Sequence, residues 1–552
     1  MTPGRLIILL SLAVILGVPF VMSLGRSEHD LPDDAPTLVV VTPHVQQIRS
    51  EFGRAFSDWH AREHGTPVRV VYLTPGGTSE IRKQLEAQYK SVLKNGDFTI
   101  TDGQVTLASG AVGADLVFGG GSYDHAQIAR GVSVSAGDIQ SPPAGLDTFV
   151  DLDDADAALT VPMSESAGFT QPELDELFGD NVIGTQFLYD PDQLWIGTAL
   201  SSFGIVYNED SYRDLGLPLP TGFEDLTRPE LRGWIALADP RQSGSITTTF
   251  DSILGNHGWD DGWRILRGMC ANTRYFTNSS TKPPTDVSQG EAAAGLAIDF
   301  YGRGQAQTAG RGRVGYVDPA GAVYIDADPI SILRGAPHPE LARTFLRFVL
   351  TEEGQALWQF HATDTPEGAD NPIGPSGQPM GPRHSELRRM PVRRVMYEKH
   401  FEYFMDKVVP FDIASDVQNP GWRTGVQVMM GCFAIDIADD CREAWEALCE
   451  ARADPTFPPD VLDKMEFFFY AFPPTPLDGE GALVTSGGAP TSLEWTPENF
   501  RAIRNSWRPS GAQARAEIYY TRVFRGYYRL VVEMGERRSV HKPNLSGAAP
   551  TP

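Results

Sequence analysis

Cysteine is scarce in this chain: there are four in 552 residues, Cys270, Cys432, Cys441 and Cys449. Their spacings match no zinc site. Cys441 and Cys449 share a helical-looking stretch, Asp439 to Ala451, where a rise of 1.5 Å per residue sets them about 12 Å apart, too far to bridge. Cys432 with either one stays open. A basic excess is missing too. The formal net charge of -25 leaves no cationic footprint for a phosphate backbone, which excludes nucleic acid as a partner. There is no internal repeat and no G-x-S-x-G nucleophile elbow. What remains, 41% hydrophobic and 21% charged, is the composition of a soluble globular protein, and the length suits two or three domains.

The N-terminus is the exception to that solubility. Arg5 precedes an apolar run from Leu6 to Leu24 broken only by Ser11, Gly17, Pro19 and Ser23. Positive flank, apolar centre and small residues describe an export signal, with Val21-Met22-Ser23 as a cleavage site although no Ala-x-Ala is present. The run is also about long enough, at roughly 20 residues, to span a bilayer. Residues 1–25 are therefore read as a signal peptide or a membrane anchor. No Cys follows the run, which argues against a lipid-anchored N-terminus. Either reading puts the bulk of the chain in the periplasm or outside the cell, where disulfides are permitted.

Further along, Thr37 to Thr42 reads as a buried strand running into Pro43-His44. Ile48, Phe52, Phe56 and Trp59 then mark one face of a helix that Gly65 ends. Val68 to Leu73 is a strand, Pro75-Gly76-Gly77-Thr78-Ser79 a corner, and Glu80 to Leu93 a helix. Ala114 to Phe118 is a strand running into Gly119-Gly120-Gly121. Strand–helix–strand–helix opens an α/β sheet. After an acidic, irregular stretch (133–190), strands are expected at Trp195–Tyr207, Arg232–Ala238, Gly295–Phe300 and Val314–Val317, and helices at Pro339–Leu350 and Glu352–Phe360. Residues 361–386, rich in Gly, Pro, Asp and Ser, read as a linker. Beyond them, patterns at Val395–Lys407, Asp439–Ala451, Pro497–Trp507 and Gly511–Glu533 predict a mostly helical extension over 387–540.

The most informative stretch is Asp239-Pro240-Arg241-Gln242-Ser243-Gly244-Ser245, a small-residue corner between a strand and a helix. Its backbone N–H groups, two hydroxyls and the positive end of the helix dipole converge on one point, which suits an anion. Ser and Gly are also common helix caps with no ligand attached. Both this corner and Gly76-Gly77-Thr78-Ser79 lie at the carboxyl ends of strands, the rim where open α/β sheets collect ligands.

These motifs, in this order, resemble the extracellular solute-binding proteins of ABC importers, most nearly the iron(III)-binding branch, over roughly residues 36–360. The resemblance implies a two-lobed type II periplasmic-binding-protein fold with two crossover strands, here followed by the helical extension. Lobe one would be 36–200 with 315–360, and lobe two 201–314. It implies that His44, after the first strand, is a metal ligand, and that Ser243, Gly244, Ser245 and Asn278 hold a synergistic anion. Two adjacent Tyr ligands are expected after Gly290-Glu291 and a strand; only Tyr301 remains, with Phe300 beside it and Asp299 as a further candidate. An acidic ligand is replaced by Gly119-Gly120-Gly121. Six anionic oxygen positions are normal for a hard cation, so the anion-holding half is better preserved than the metal-holding half.

The expected function is capture of iron(III) with a synergistic anion, or of a phosphate- or phosphonate-type anion, in the interlobe cleft. His44, Gly77, Thr78 and Ser79 would act from lobe one and Ser243, Gly244, Ser245, Asn278 and Tyr301 from lobe two, with an ABC permease as partner and no catalytic cofactor. Two alternatives stay open. His60-Ala61-Arg62-Glu63-His64 fits the H-x-x-E-H pattern of a zinc hydrolase, though no third ligand is apparent. The long extension also suits a sensor or scaffold built on the same fold. Arg388-Arg389 and Arg393-Arg394 form a basic cluster, either a solvated helix face, a partner for acidic segments of the same chain, or a lipid-facing patch.

Overall fold

The computed structural model describes residues 31–101, 104–151, 157–310, 312–478, 481–484 and 491–539; the expected signal or anchor lies outside them. Among the described residues, no helix is long and apolar enough to cross a membrane. The architecture is carried by one eleven-stranded sheet. Its strands are β1 (Thr37–Val41), β2 (Arg69–Leu73), β3 (Leu116–Phe118), β4 (Ile196–Asn208), β5 (Ile235–Ala238), β6 (Thr273–Thr277), β7 (Ala294–Ile298), β8 (Val314–Val317), β9 (Ile325–Leu333) and β10 (Met390–Pro391), with the two-residue piece Ser164–Glu165. The spatial order is β6-β5-β7-β4-β9-β3-β1-β2, and β8 and β10 pair laterally with β4.

β1 lies parallel to β2 and β3. Helices α1 (Gln46–His64), α2 (Thr78–Asn95) and α3 (Ser122–Arg130) follow these three strands in turn, so parallel pairing delivers all three helix N-termini to one rim. The same logic operates around β5 and β7, which are parallel and feed α4 (Gly244–His257), its successor α5 (Trp259–Ala271), and α6 (Asp299–Ala309). Helix α7 (Glu352–Gln359) returns to the first lobe, where its fully buried Trp358 joins Phe52, Phe56 and Phe118 in one core.

The two lobes share their central strands. The first half of β4 pairs antiparallel with β9, from Ile196 opposite Ile330 to Ser202 opposite Ile325. Its second half pairs with β7, from Phe203 opposite Ile298 to Tyr207 opposite Ala294. β9 in turn pairs with β3. β4 and β9 are thus the two crossovers, and the fold is the two-lobed α/β arrangement of type II periplasmic binding proteins with a helical C-terminal region.

That region does not stand apart. Helices α8 (Arg423–Met430), α9 (Ala438–Ala453), α10 (Pro459–Tyr470) and α11 (Ala512–Ser539), with the π-helical turn Gly431–Ile435 after α8, bury Val426, Phe433, Trp445, Phe469 and Phe524 in the same apolar cluster as Phe250, Ile253, Leu266 and Met269 of α4 and α5. Arg267 of α5 is fully buried in this seam. Its guanidinium lies 4.3, 4.7 and 4.8 Å from the ring centres of Phe433, Phe472 and Phe524, and Nη1 donates to the Phe469 carbonyl at 2.6 Å. Ring quadrupoles and a carbonyl substitute for water around that charge.

The stretch 361–386 is fixed to lobe one: the Glu51 carboxylate accepts the N–H groups of Arg383, His384 and Ser385 at 2.7, 2.8 and 2.9 Å. The helix expected over Val395–Lys407 covers only Arg394–Lys399. A tight turn at Phe401–Tyr403 drops Phe404 into a small core with Phe360, Met380 and Met396. All four cysteines are buried free thiols, so the bridge left open for Cys432 is not formed.

Candidate ligand-binding site

Where the lobes face each other, a cleft of ≈ 400 Å³ is lined by His44, Gly77 and Thr78 from one side and by Ser243, Gly244, Ser245, Asn278 and Tyr301 from the other. A smaller neighbouring compartment of ≈ 50 Å³ is lined by Tyr123, Asp326, Asp328, Arg389 and Arg423 among others. Of the residues singled out in the sequence, Ser79 and Asp299 are not on either wall.

On the second lobe, Ser243 is the N-cap of α4 and its hydroxyl accepts the Ile246 N–H at 3.5 Å. The capping use of the Ser-Gly-Ser corner is therefore realised. It leaves the N–H groups of Gly244 and Ser245, which a first helical turn cannot satisfy internally. Gly244 sits where the lobes touch. A Cβ there would lie 3.2 Å from Asp124 Oδ2 and 3.5 Å from Ser79 Oγ, both from lobe one. Ser79 thus meets the corner itself rather than the open cleft.

On the first lobe, the N–H of Gly77 is taken by the Glu80 carboxylate at 2.8 Å, and the N–H of Ser122 at the head of α3 by Asp326 at 3.2 Å. Two of the three helix termini at this rim are thereby partly filled by the chain's own acids. The glycine run has a steric reason. Gly120 has φ +110, and a Cβ on it would lie 2.4 Å from Thr78 Cγ2; a Cβ on Gly119 would lie 2.2 Å from His44 Nε2. An acidic side chain has no room at either position.

His44 is 5% exposed. Its Nε2 donates to Asp328 Oδ2 at 2.9 Å, and its Nδ1 has no protein partner. Burial holds its pKa below the ordinary value, against the pull of Asp328. Asp328 also accepts the Gly120 N–H at 2.7 Å and pairs with Arg389. Burial works against the Asp328 charge, but Arg389, His44 and that N–H outweigh it and keep the carboxyl well below the carboxylate range. Tyr301 packs on Phe300, ring centres 4.0 Å apart. Burial pushes its phenol up to about 12, with Arg389 opposing, so the free phenol is protonated at neutral pH.

Asp299 sits outside the cleft, fully buried, with neither carboxylate oxygen hydrogen-bonded to protein. Burial lifts its pKa to about 7, with Arg303 pulling the other way. A folded-state value above the unfolded one makes this group's contribution most favourable below about pH 4, and that contribution is lost as the pH rises to 7. Asp299→Asn removes the titration while other groups cancel in the comparison. Its stability relative to wild type is expected to rise by about 3 kcal/mol between pH 4 and pH 8, read from denaturant unfolding at both. A pH-independent difference would contradict this.

Sequence reasoning missed Asp328, Arg389 and Arg423. The basic cluster was visible, and its resolution is pairing within the chain: Arg388 binds Asp406, Arg389 binds Asp328, and Arg393 donates to the Leu350 carbonyl. Arg423, at the head of α8, donates to Thr248 Oγ1 and to the Gly244 carbonyl. It also lies 4.2 Å over the ring of Tyr123 of lobe one, so the C-terminal region touches both sides of the cleft. The His60/Glu63/His64 motif lies at the C-terminal end of α1. His60 Nδ1 is bonded to the Thr66 carbonyl at 2.6 Å and Glu63 is paired with Arg62. Among the described residues, no group of three or more His, Cys, Asp or Glu is placed to hold a metal.

Comparison with known proteins bears on this geometry. The phosphoglycerate transport regulatory protein PgtC of Salmonella typhimurium is 25% identical over 187 residues, 32% of this chain and 45% of that protein. The chain thus spans less than half the length of that relative. Iron uptake protein A1 of a Synechocystis species is 25% identical over 237 residues, 40% of this chain and 64% of that one. The crystal structure of iron-bound HitA from Pseudomonas aeruginosa overlaps 71% of this chain and 99% of that one, with 16% identity and a TM-score of 0.42. Residues 164–380, which hold both crossover strands and the whole β5–β8 segment of lobe two, match the family model described as bacterial extracellular solute-binding protein, and that family is what this stretch of the chain resembles.

Proposed function

We propose that the chain is the solute-binding component of an ABC importer and that its cleft captures a small phosphate-type anion by closure of the two lobes. The observation that carries this reading is the make-up of the wall. Gly244, Ser245, Thr78, Asn278 and Tyr301 line one cavity, and what they can bring to it is backbone N–H groups, hydroxyls, an amide and a protonated phenol. Most of these groups donate hydrogen bonds, which suits a ligand made of acceptors. The volume of ≈ 400 Å³ falls in the range of small-molecule sites, about 300–1,000 Å³. The relative named for phosphoglycerate fits the same ligand class.

Iron(III), suggested by the name of the second relative, has a poorer donor set here. His44 Nε2 is engaged by Asp328, Glu80 is engaged by Gly77, and the Tyr301 phenol would have to lose a proton held to about 12. A sensor role for the same closing motion is the second reading. It is favoured by the way residues 423–539 complete the core of lobe two, which is more than ligand capture requires. In either role, closure is driven by the ligand's preference for the closed state.

The test is titration calorimetry on the full chain with inorganic phosphate, glycerol 3-phosphate and ferric citrate. Saturable binding of a phosphate probe, weakened at least tenfold in Ser245→Ala/Asn278→Ala, is expected. Binding of ferric citrate alone would overturn the anion reading in favour of iron.

A further inference from the structure

Residues 381–552 lie outside the segment that matches the solute-binding family, yet they place an arginine in the cleft. We propose that Arg389 is the ligand's guanidinium contact and that the ligand is an oxyanion of the phosphate-monoester kind. This deepens the function proposed above and rests on it.

Arg389 lines both compartments and is the cation on the wall of the larger one among the described residues. It is 5% exposed, and its Nε–H has no protein acceptor. A guanidinium carries five donors in a fixed fork, and a buried donor left without a partner is unfavourable. Asp328 does not take this N–H. Its two oxygens already take the Gly120 N–H, His44 Nε2 and Arg389. The fork is also held in place before any ligand arrives. Its carbon lies 4.1 Å over the centre of the Phe300 ring, and the backbone beside it is pinned by β10, where Met390 and Pro391 pair with Leu200 and Ala199 of β4.

Asp328 neutralises the guanidinium's charge but leaves its Nε–H free, so the arginine offers a ligand a fixed, unshared donor. Partial positive charge comes from the N-terminus of α4, since that of α2 is already met by Glu80. A planar fork held rigid beside hydroxyls and amide N–H groups matches two oxygens of one phosphate, where a lysine would offer a single point charge.

The experiment compares full-length wild type, Arg389→Lys, Arg389→Met and, as a control, Arg388→Gln, whose native side chain pairs with Asp406 away from the cleft. Each is titrated with glycerol 3-phosphate, inorganic phosphate and ferric citrate, and each is checked by thermal unfolding. Arg389→Lys keeps a charge opposite Asp328 and so keeps the fold. It should bind glycerol 3-phosphate about tenfold more weakly, and Arg389→Met at least a hundredfold more weakly, with Arg388→Gln unchanged. Wild-type affinity in Arg389→Lys and Arg389→Met would overturn the role of Arg389 while leaving the cleft as the phosphate site. Failure of wild type to bind either phosphate probe would remove the functional reading itself, and this inference with it.

Discussion

A chain ending at Trp422 is expected to lose the cooperative unfolding of its second lobe. The helices beyond that point supply Val426, Phe433, Trp445, Phe469 and Phe524 to the cluster that also holds Phe250, Ile253, Leu266 and Met269. Removing them exposes large apolar side chains, each worth about 1.5–3 kcal/mol when buried. Together the five come to about 7–15 kcal/mol, as much as the roughly 5–15 kcal/mol that holds a typical domain together. Arg267 would also lose the three rings and the carbonyl around its charge. Calorimetry of the truncated protein should show one transition, from lobe one, beside an unfolded or aggregated remainder. A truncated chain that melts as two intact lobes would show that the extension is an appendage after all.

Asp328→Ala is expected to be the most damaging single substitution at the cleft. The carboxylate is 2% exposed and serves His44, Arg389 and the Gly120 N–H at once. Taking away one partner of a buried pair leaves the other charge uncompensated, at about 3–5 kcal/mol. Denaturant unfolding of the full chain should register that loss, and any phosphate binding should vanish with it because Arg389 is no longer held. A change below about 1 kcal/mol would mean that the ion pair contributes little to this fold.

The sheet was largely legible in the sequence. Thr37 to Val41 and the Ile48/Phe52/Phe56 stripe have the periods of a strand and a helix, and both are found there. The Ser243-Gly244-Ser245 corner was legible because turn chemistry is local. Arg389 was not. It sits in one of two arginine pairs separated by three residues, of the kind that normally faces solvent, and Asp328, which explains its burial, is reached only through the pairing of β4 with both β9 and β10. Asp299 misled for the opposite reason. Its place beside Tyr301 suggested the cleft, but at the start of α6 the two residues part, Tyr301 lining the cavity and Asp299 lying by Arg303. The union of the extension with lobe two depends on Phe433, Phe472 and Phe524 meeting Arg267. No spacing within any one helix announces that meeting.

The most direct test is a crystal structure of the full chain grown with glycerol 3-phosphate. A phosphate is expected between the lobes, with oxygens about 3 Å from the Gly244 or Ser245 N–H and from Arg389 Nε, and with Thr78 closing the opposite side. A phosphate bound to one lobe only, or a cleft that holds a metal on His44 and Tyr301 with Arg389 turned away, would contradict it.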